Sequence, residues 1–157
     1  ITEKKAMKTI DMNTILLFVG SLALAKGIDV SGAGKEIANV LINTLGKNPS
    51  PYVLLFVILV LSAVMTNFMS NTATTALLVP ISLSIANGMG ADPSAVVMAT
   101  VIGGSLAFAT PIGMPANTMV YGLGGFKFKD YAIAGIPLII LSIIISMILL
   151  PIFFPFY

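Results

Sequence analysis

Long stretches of this sequence contain no charged side chain. Charged residues are absent between Lys47 and Asp92, between Asp92 and Lys127, after Asp130 and, over a shorter run, between Asp11 and Lys26. A charge in the middle of a bilayer is costly, and about 20 consecutive apolar residues form a helix that spans one. The charge-free runs therefore predict an all-α membrane protein that is polytopic, passing through the bilayer more than once.

Composition excludes several other classes of protein. The chain is 57% hydrophobic and 9% charged, whereas charged residues make up about 25% of soluble domains. It contains no cysteine and no histidine, which removes disulfides, the usual zinc sites and Ser-His or Cys-His nucleophiles. The runs also lack the aspartate pairs of an intramembrane enzyme, and the lysines between them form no groove for nucleic acid. We therefore predict neither an enzyme nor a nucleic-acid-binding protein.

The first apolar run predicts a helix over residues 12–28, approximately. This helix can span the bilayer only if Asp11 and Lys26 lie at the two membrane edges. After a turn that contains glycine, Ile37, Val40 and Leu41 recur on one helical face, opposite polar residues. This second pattern predicts an amphipathic helix, over approximately 33–46, that lies in the membrane interface. The alternative is a solvent-exposed helix that packs on another domain.

The second run, from residue 49 to residue 90, is too long for one crossing and barely long enough for two. Seven of the ten residues from Thr66 to Thr75, in its middle, are polar. Each apolar arm is too short to cross comfortably, and a turn at the surface would more naturally contain glycine, proline or charge. We therefore predict a re-entrant helical hairpin over approximately 51–89, with its tip at 66–75. Pro80 is expected to interrupt the returning arm.

The third run begins as a helix and then breaks. A helical pattern extends to Ala109 and carries a stripe of small residues at four-residue spacing, formed by Ala95, Ala99, Gly103 and Ala107. Such a stripe lets another helix approach closely, but no other segment is an obvious partner for it. Two prolines and a glycine between residues 110 and 115 then predict a discontinuous transmembrane helix over approximately 94–126. The last run predicts an ordinary spanning helix over approximately 131–155.

Interrupted helices with uncharged polar groups at mid-membrane are typical of transporter binding sites. There, exposed carbonyl and side-chain oxygens bind a cation such as Na⁺, while helix N-termini and side-chain donors hold an anion. Ser70, Asn71 and Thr72 can donate to a carboxylate or sulfate and can also ligate a cation. The alternative is structural, since serine and threonine often bond their own backbone and asparagine joins helices. The density of polar residues in the tip favours a binding site.

Two motifs make the sequence similar to a known family. The run TNFMSNTATTALLVPI is followed, after residue 108, by ATPIGMPANTMVYG, and LLFVGSLALAKGIDVSG lies upstream of both. This combination resembles the divalent anion:sodium symporter family, which carries dicarboxylates, citrate or sulfate. Members contain two inverted halves, each with a Ser-Asn-Thr hairpin and a broken helix. The resemblance therefore implies that this chain is the C-terminal inverted-repeat half of a secondary transporter.

The resemblance also implies roles for particular residues. The signature that contacts the anion matches Ser70, Asn71 and Thr72. The oxygens that surround a sodium ion match Thr66, Asn71, Gly113 and Pro115. No catalytic residue is implied, and Na⁺ as the coupling ion takes the place of a cofactor.

The implied function is sodium-coupled symport of a small divalent anion by alternating access. Two positions depart from the family pattern, because Met69 replaces a small residue and Met114 stands where many dicarboxylate carriers have threonine. The missing hydroxyl at Met114 leaves both dicarboxylate and sulfate open as substrates. An anion exchanger, an uncoupled anion permease of the same fold and a noncatalytic membrane subunit are the alternative functions.

Lysine positions predict the orientation of the chain. With the predicted crossings, five lysines fall on the N-terminal side and three on the other: Lys4, Lys5, Lys8, Lys127 and Lys129 against Lys26, Lys35 and Lys47. An excess of lysine marks the cytoplasmic side, so we expect a cytoplasmic N-terminal side and an external C-terminus in the inner (plasma) membrane. The expected partners are the anion, Na⁺, the lipid bilayer, the missing N-terminal half and a second copy in a homodimer.

Overall fold

The computed structural model describes residues 50–157 continuously, together with residues 16, 19, 20, 23, 27 and 30–32. Apart from those isolated positions, the helices predicted over 12–28 and 33–46 lie outside the described residues. The continuous part folds into helices without β-strands: α1 (Pro51–Thr66), α2 (Asn71–Gly88), α3 (Ser94–Gly103), α4 (Pro115–Leu123) and α5 (Phe128–Phe153).

Helices α1 and α2 are joined by a short link over residues 67–70. The hydroxyl of Ser50 caps α1 by accepting from the backbone N–H of Val53 at 3.3 Å, and proline follows at the first helical position. The hydroxyl of Ser70 caps α2 by accepting from the Ala73 N–H at 3.1 Å. Because Ser70 is the cap, the polar residues from 71 to 75 form the start of α2 and are helical.

The sequence leads one to expect that Pro80 interrupts the returning arm, but the structure shows no interruption there. Helix α2 continues through Pro80 to Gly88. A proline removes one backbone hydrogen bond, but Leu78 and Ser82 on either side of it are completely buried. We attribute the continuity of α2 to this packing, which holds the helix on both sides of the missing bond.

The core lies where α1 packs against α3. Its buried side chains are Leu54, Leu55, Ile58 and Leu59 of α1, and Ala95, Val96 and Ala99 of α3, joined by Ala86. The small-residue stripe of α3 therefore has a partner, contrary to the expectation from the sequence. At Gly103 the approach is so close that an added Cβ would lie 2.7 Å from the Cβ of Ser62 and 2.8 Å from the Leu59 carbonyl oxygen.

Helix α3 is shorter than its pattern predicts, because it ends at Gly103 and not near Ala109. Two consecutive glycines, Gly103 and Gly104, lower the helix propensity at this point. The chain then runs irregularly over residues 104–114, a stretch that we call the break, and α4 begins at Pro115.

Helix α5 is the longest element of the described part. Its 26 residues have a mean hydropathy of 2.8 in the most apolar window, and among the described residues it alone is both long and apolar enough to cross a membrane. At about 1.5 Å per residue it is long enough for a bilayer core of about 30 Å. It begins where the Lys127 N–H donates to Asp130 Oδ2 at 2.7 Å, and it contains two internal prolines, Pro137 and Pro151.

Candidate functional site

Three oxygen atoms converge where α1 ends and α2 begins. Thr66 is completely buried, and its Oγ1 lies 2.7 Å from Asn71 Oδ1 and 2.5 Å from the carbonyl oxygen of Gly104. A threonine hydroxyl has one proton, so it can donate to only one of these acceptors at a time. These atoms, which we call the oxygen cluster, therefore have more acceptors than donors, and this is the property that a cation site requires.

The backbone of Gly113 lies against this cluster. A Cβ at position 113 would be 3.2 Å from the Thr66 carbonyl oxygen and 3.2 Å from Thr110 Oγ1. The Gly113 N–H donates to Thr110 Oγ1 at 3.0 Å, and the Thr110 hydroxyl donates to the Asn67 carbonyl oxygen at 2.7 Å. Because glycine has no side chain, the break can come close to the end of α1, and Gly113 lies beside Thr66.

Asn67 joins the α1–α2 link to the break, a role that the sequence did not indicate. It is buried, and its Nδ2 donates to the carbonyl oxygens of Ala63 at 2.6 Å and Leu106 at 3.2 Å. Its Oδ1 accepts from the Ala109 N–H at 2.9 Å. The sequence signal was only that two asparagines lie close together, Asn67 in the link and Asn71 directly after it. It did not tell which of them turns toward the break and which toward Thr66.

Two side chains of α4 satisfy further carbonyls of the break. Asn117 Nδ2 donates to the carbonyl oxygens of Ala107 at 2.7 Å and Thr110 at 3.0 Å, and the Thr118 hydroxyl donates to that of Pro111 at 2.7 Å. Irregular backbone is tolerated at membrane depth only where protein groups or water satisfy it. The polar residues after the break are therefore what makes its open backbone stable.

Helix α5 supports the break from the other side. The Tyr131 hydroxyl donates to the Asn117 carbonyl oxygen at 2.9 Å. A Cβ at Gly135 would overlap the carbonyl group of Phe108, so α5 lies directly on the backbone of the break. The position of the break is thus coupled to that of the one described helix that is both long and apolar enough to span a membrane.

The remaining predicted site residues lie at exposed helix starts. Ser70 and Thr72 are exposed at the beginning of α2, whereas Asn71 between them is half-buried. Pro115 is exposed in the first turn of α4, and Met114 before it is half-buried. The structure therefore brings Thr66, Asn71 and Gly113 together, while Ser70, Thr72 and Pro115 face outward from the same region of the chain.

Helix ends give this neutral region its electrostatic character. Helices α1 and α3 both end at the oxygen cluster, and their last turns contain no basic residue. Helix α2 begins there, with no acidic residue in its first turn. Helix C-termini carry partial negative charge and N-termini partial positive charge. One side of the region therefore favours a cation, and the exposed start of α2 favours an anion.

Charged side chains of the continuous part lie outside this region in the chain. Asp92 is in the link between α2 and α3, and Lys127, Lys129 and Asp130 lie around the start of α5. The hydroxyl and the backbone N–H of Ser94 hold the pKa of Asp92 below its usual value. Within the described residues there is also no group of three or more His, Cys, Asp or Glu side chains that could bind a metal.

The chain is similar in sequence to known membrane transporters. A family model described as "Sodium:sulfate symporter transmembrane region" matches residues 4–156. The chain is 35% identical over 156 residues to the uncharacterized transporter YfbS of Escherichia coli (strain K12), an alignment that covers 99% of this chain and 25% of that protein.

Two further relatives are named as a solute carrier and as a sodium-dependent transporter. Solute carrier family 13 member 2 of Oryctolagus cuniculus is 36% identical over 145 residues, covering 92% of this chain and 24% of the relative. The sodium-dependent dicarboxylate transporter SdcS of Staphylococcus saprophyticus is 30% identical over 145 residues, covering 92% of this chain and 28% of the relative. The chain thus spans about a quarter of the length of the curated relatives that it matches.

Proposed function

The chain belongs to the divalent anion:sodium symporter family, a family of helical membrane transporters, and from this premise we propose that it forms part of a sodium-coupled symporter for a small divalent anion, working by alternating access. The observation that carries this proposal is the convergence of Thr66, Asn71 and Gly104. An acceptor-rich cluster at two helix C-termini meets the exposed N-terminus of a third helix, so sites for a cation and for an anion adjoin.

In the proposed sodium site, Na⁺ is bound by Thr66 Oγ1, Asn71 Oδ1 and backbone oxygens at Gly113 and Pro115. The close approach of Gly113 to the Thr66 carbonyl supports this assignment. To it we add the carbonyl oxygen of Gly104, which lies beside Thr66 Oγ1. When Na⁺ binds, the Thr66 hydroxyl can turn its lone pairs toward the ion, because both of its present partners are acceptors.

The anion is proposed to bind at the start of α2, through Ser70, Asn71 and Thr72. The Ser70 oxygen accepts a hydrogen bond from Ala73, which leaves its proton free to donate to a carboxylate or sulfate oxygen. The partial positive charge of the α2 N-terminus favours the same ligand. Asn71 takes part in both proposed sites, which couples occupancy by Na⁺ to the orientation of an anion ligand.

Two small divalent anions are the substrates to test first. The matching family description names sulfate, and the name of SdcS specifies dicarboxylate. At Met114, beside Gly113, this chain has no hydroxyl to offer either anion.

The proposed membrane arrangement follows from the same features. We take α1 and α2 as a re-entrant hairpin, α3 and α4 as one discontinuous transmembrane helix, and α5 as a spanning helix. A second, N-terminal half and a homodimer of complete transporters complete the assembly in the plasma membrane, with the N-terminal side of this chain cytoplasmic and its C-terminus external.

Reconstitution of the full-length protein into liposomes tests the proposal. We expect labelled succinate or sulfate to accumulate against its gradient when an inward Na⁺ gradient is imposed, and a sodium ionophore should abolish the accumulation. Uptake that needs internal anion but not Na⁺ would indicate an exchanger, and uptake that only equilibrates the anion would indicate an uncoupled permease. If correctly folded protein moves neither anion under any gradient, the transport proposal is wrong and a noncatalytic subunit becomes the better interpretation.

A further inference from the structure

Two completely buried hydroxyl groups lie near the oxygen cluster without a hydrogen-bond partner. Among the described residues, Ser62 Oγ in α1 and Thr74 Oγ1 in α2 are the buried side-chain polar atoms for which none is found. A buried hydroxyl without a partner costs free energy, about 1–3 kcal/mol. Such groups in a well-packed core call for an explanation, and one is a bound ion.

Ser62 and Thr74, which we call the hydroxyl layer, each lie about one helical turn along their own helix from a member of the oxygen cluster. Ser62 precedes Thr66 by one helical turn, and Thr74 follows Asn71 by three residues. The Cβ atom of each is therefore about 5–6 Å from the Cβ atom of a residue of the cluster. Ser62 packs against Gly103 of α3. Thr74 directly precedes Thr75, whose Oγ1 would be 2.8 Å from a Cβ at Gly104. The end of α3 thus meets both helices at this level.

Neighbouring hydroxyls show that these two could have been satisfied locally. The hydroxyls of Thr75 and Thr100 donate to the carbonyl oxygens four residues earlier in their own helices, at 2.9 Å each, and that of Ser82 donates to the carbonyl three residues earlier at 3.0 Å. Thr74 lies in the same helix as Thr75 and Ser82, and Ser62 lies in the adjoining α1, yet neither makes such a bond. Their oxygens are therefore free to bind an ion from within the core.

We propose that Ser62 and Thr74 contribute to a second Na⁺ site, behind the cluster of Thr66, Asn71 and Gly104. The C-terminal ends of α1 and α3 bring partial negative charge to this layer, and together they outweigh the partial positive charge of the single α2 N-terminus beside Thr74. The ligands are neutral hydroxyl and carbonyl oxygens, whereas calcium and magnesium sites rely on carboxylates, so the ion is monovalent. This inference rests on the proposed function, because it takes Na⁺ as the ion that the carrier binds.

The test uses purified full-length protein, with choline replacing Na⁺ at constant ionic strength. Two quantities are measured as functions of Na⁺ concentration: the Tm and the rate of anion uptake. We expect Ser62→Ala and Thr74→Val to raise the half-saturating Na⁺ concentration about tenfold in both, the change expected for losing one hydrogen-bonding contact to a charge. Thr74→Ser keeps the hydroxyl and should retain the wild-type response.

Matched controls are Ser82→Ala and Thr100→Val, which remove equally buried hydroxyls of α2 and α3 that have partners. These two variants should lower the Tm without shifting its dependence on Na⁺. The inference is wrong if Ser62→Ala and Thr74→Val respond to Na⁺ as the wild type does and merely have a higher Tm, the result expected for a bound water or for unsatisfied hydroxyls.

The two proposals fail in different ways. If wild-type uptake ignores Na⁺ while the Tm of the wild type, but not of the two variants, rises with Na⁺, the proposed symport is wrong and the second site stands. If uptake depends on Na⁺ and neither variant alters that dependence, symport stands and the second site is wrong. If neither uptake nor Tm responds to Na⁺, both are wrong.

Discussion

The side-chain amide of Asn71 takes part in both the proposed Na⁺ site and the proposed anion site. Its Oδ1 lies 2.7 Å from Thr66 Oγ1, in the oxygen cluster, while its backbone opens α2 between two exposed hydroxyl residues. Asn71→Ala removes the oxygen for Na⁺ and the donor for the anion, so we expect Na⁺-driven uptake by the full-length carrier to be abolished at unchanged expression. Asn87→Ala, at the exposed end of α2, is the control. Wild-type uptake rates in Asn71→Ala would contradict the site assignment.

Gly113 tests how closely the break must approach α1. Alanine at this position would place its Cβ 3.2 Å from the Thr66 carbonyl oxygen, closer than ordinary contact, so the break would have to shift. We expect Gly113→Ala to raise the half-saturating Na⁺ concentration for uptake about tenfold, equivalent to about 1.4 kcal/mol of binding free energy. Gly88→Ala, with no heavy atom near the added Cβ, should leave it unchanged. An unaltered Na⁺ dependence in Gly113→Ala would remove Gly113 from the site.

The sequence identified some residues of this region and not others, for a physical reason. Polar side chains such as Thr66 and Asn71 are visible as departures from an apolar run. Gly104 acts through its carbonyl oxygen, and every residue has one, so only the folded end of α3 reveals which carbonyl meets Thr66. Asn67 was visible as a polar residue, but its partners are backbone atoms of a segment some forty positions away, and its role depends on tertiary structure.

At the scale of whole elements, the contact between α5 and the break is set by Gly135. Any side chain there would overlap the backbone of Phe108, which has no flexible end that could move aside. We expect Gly135→Ala to destabilise the protein by about 1–3 kcal/mol, the usual cost of overpacking, and to lower its Tm, with Gly88→Ala as the control. A Tm equal to that of the wild type would mean that α5 does not lie on the break as described.

Water access distinguishes a re-entrant tip from a buried turn. Ser70 and Val64 are both exposed in the described structure, but in the proposed arrangement Ser70 faces the aqueous anion path and Val64 faces apolar surroundings. We expect Ser70→Cys to react with a charged thiol reagent and to be protected by Na⁺ plus anion, whereas Val64→Cys should stay unreactive. The chain has no cysteine of its own, so only those elsewhere in the full-length protein need replacement. Equal, ligand-independent labelling of the two positions would contradict the proposed tip.

Element-level predictions from the sequence failed where packing overrode local preference. Pro80 was expected to interrupt the returning arm, yet α2 continues through it because Leu78 and Ser82 are held in the core. The stripe that includes Gly103 indicated close helix approach correctly, but its spacing carries no information about which helix approaches, and the partner is α1. Charge-free runs thus predict that elements exist, whereas the places where helices are interrupted and the pairing between elements depend on packing in the folded chain.

At the scale of the whole molecule, the described residues enclose the cation side of the proposed site but leave its anion side open. The cation side is enclosed, since α1, α3 and the break supply buried oxygens around Thr66. The anion side is open, since Ser70 and Thr72 are exposed at the start of α2. A doubly charged anion held at a single helix N-terminus would keep most of its hydration, because only one face of it meets protein donors. The open side therefore fits a surface that a second half of the carrier completes.

This asymmetry leads to a prediction for the isolated chain. Inverted-repeat carriers place the substrate between two halves that move against each other, and the described residues supply one proposed hairpin and one proposed broken helix. Residues 1–157 expressed alone should therefore show no saturable Na⁺-dependent uptake of succinate or sulfate, and co-expression with the complementary N-terminal half of the carrier should restore it. Correct membrane insertion, measured by the protease resistance of the isolated chain, is the necessary control. Saturable uptake by the chain alone would mean that two copies face each other and build the site as a homodimer, in which case Ser70 and Thr72 meet their counterparts across the interface and no second half is needed.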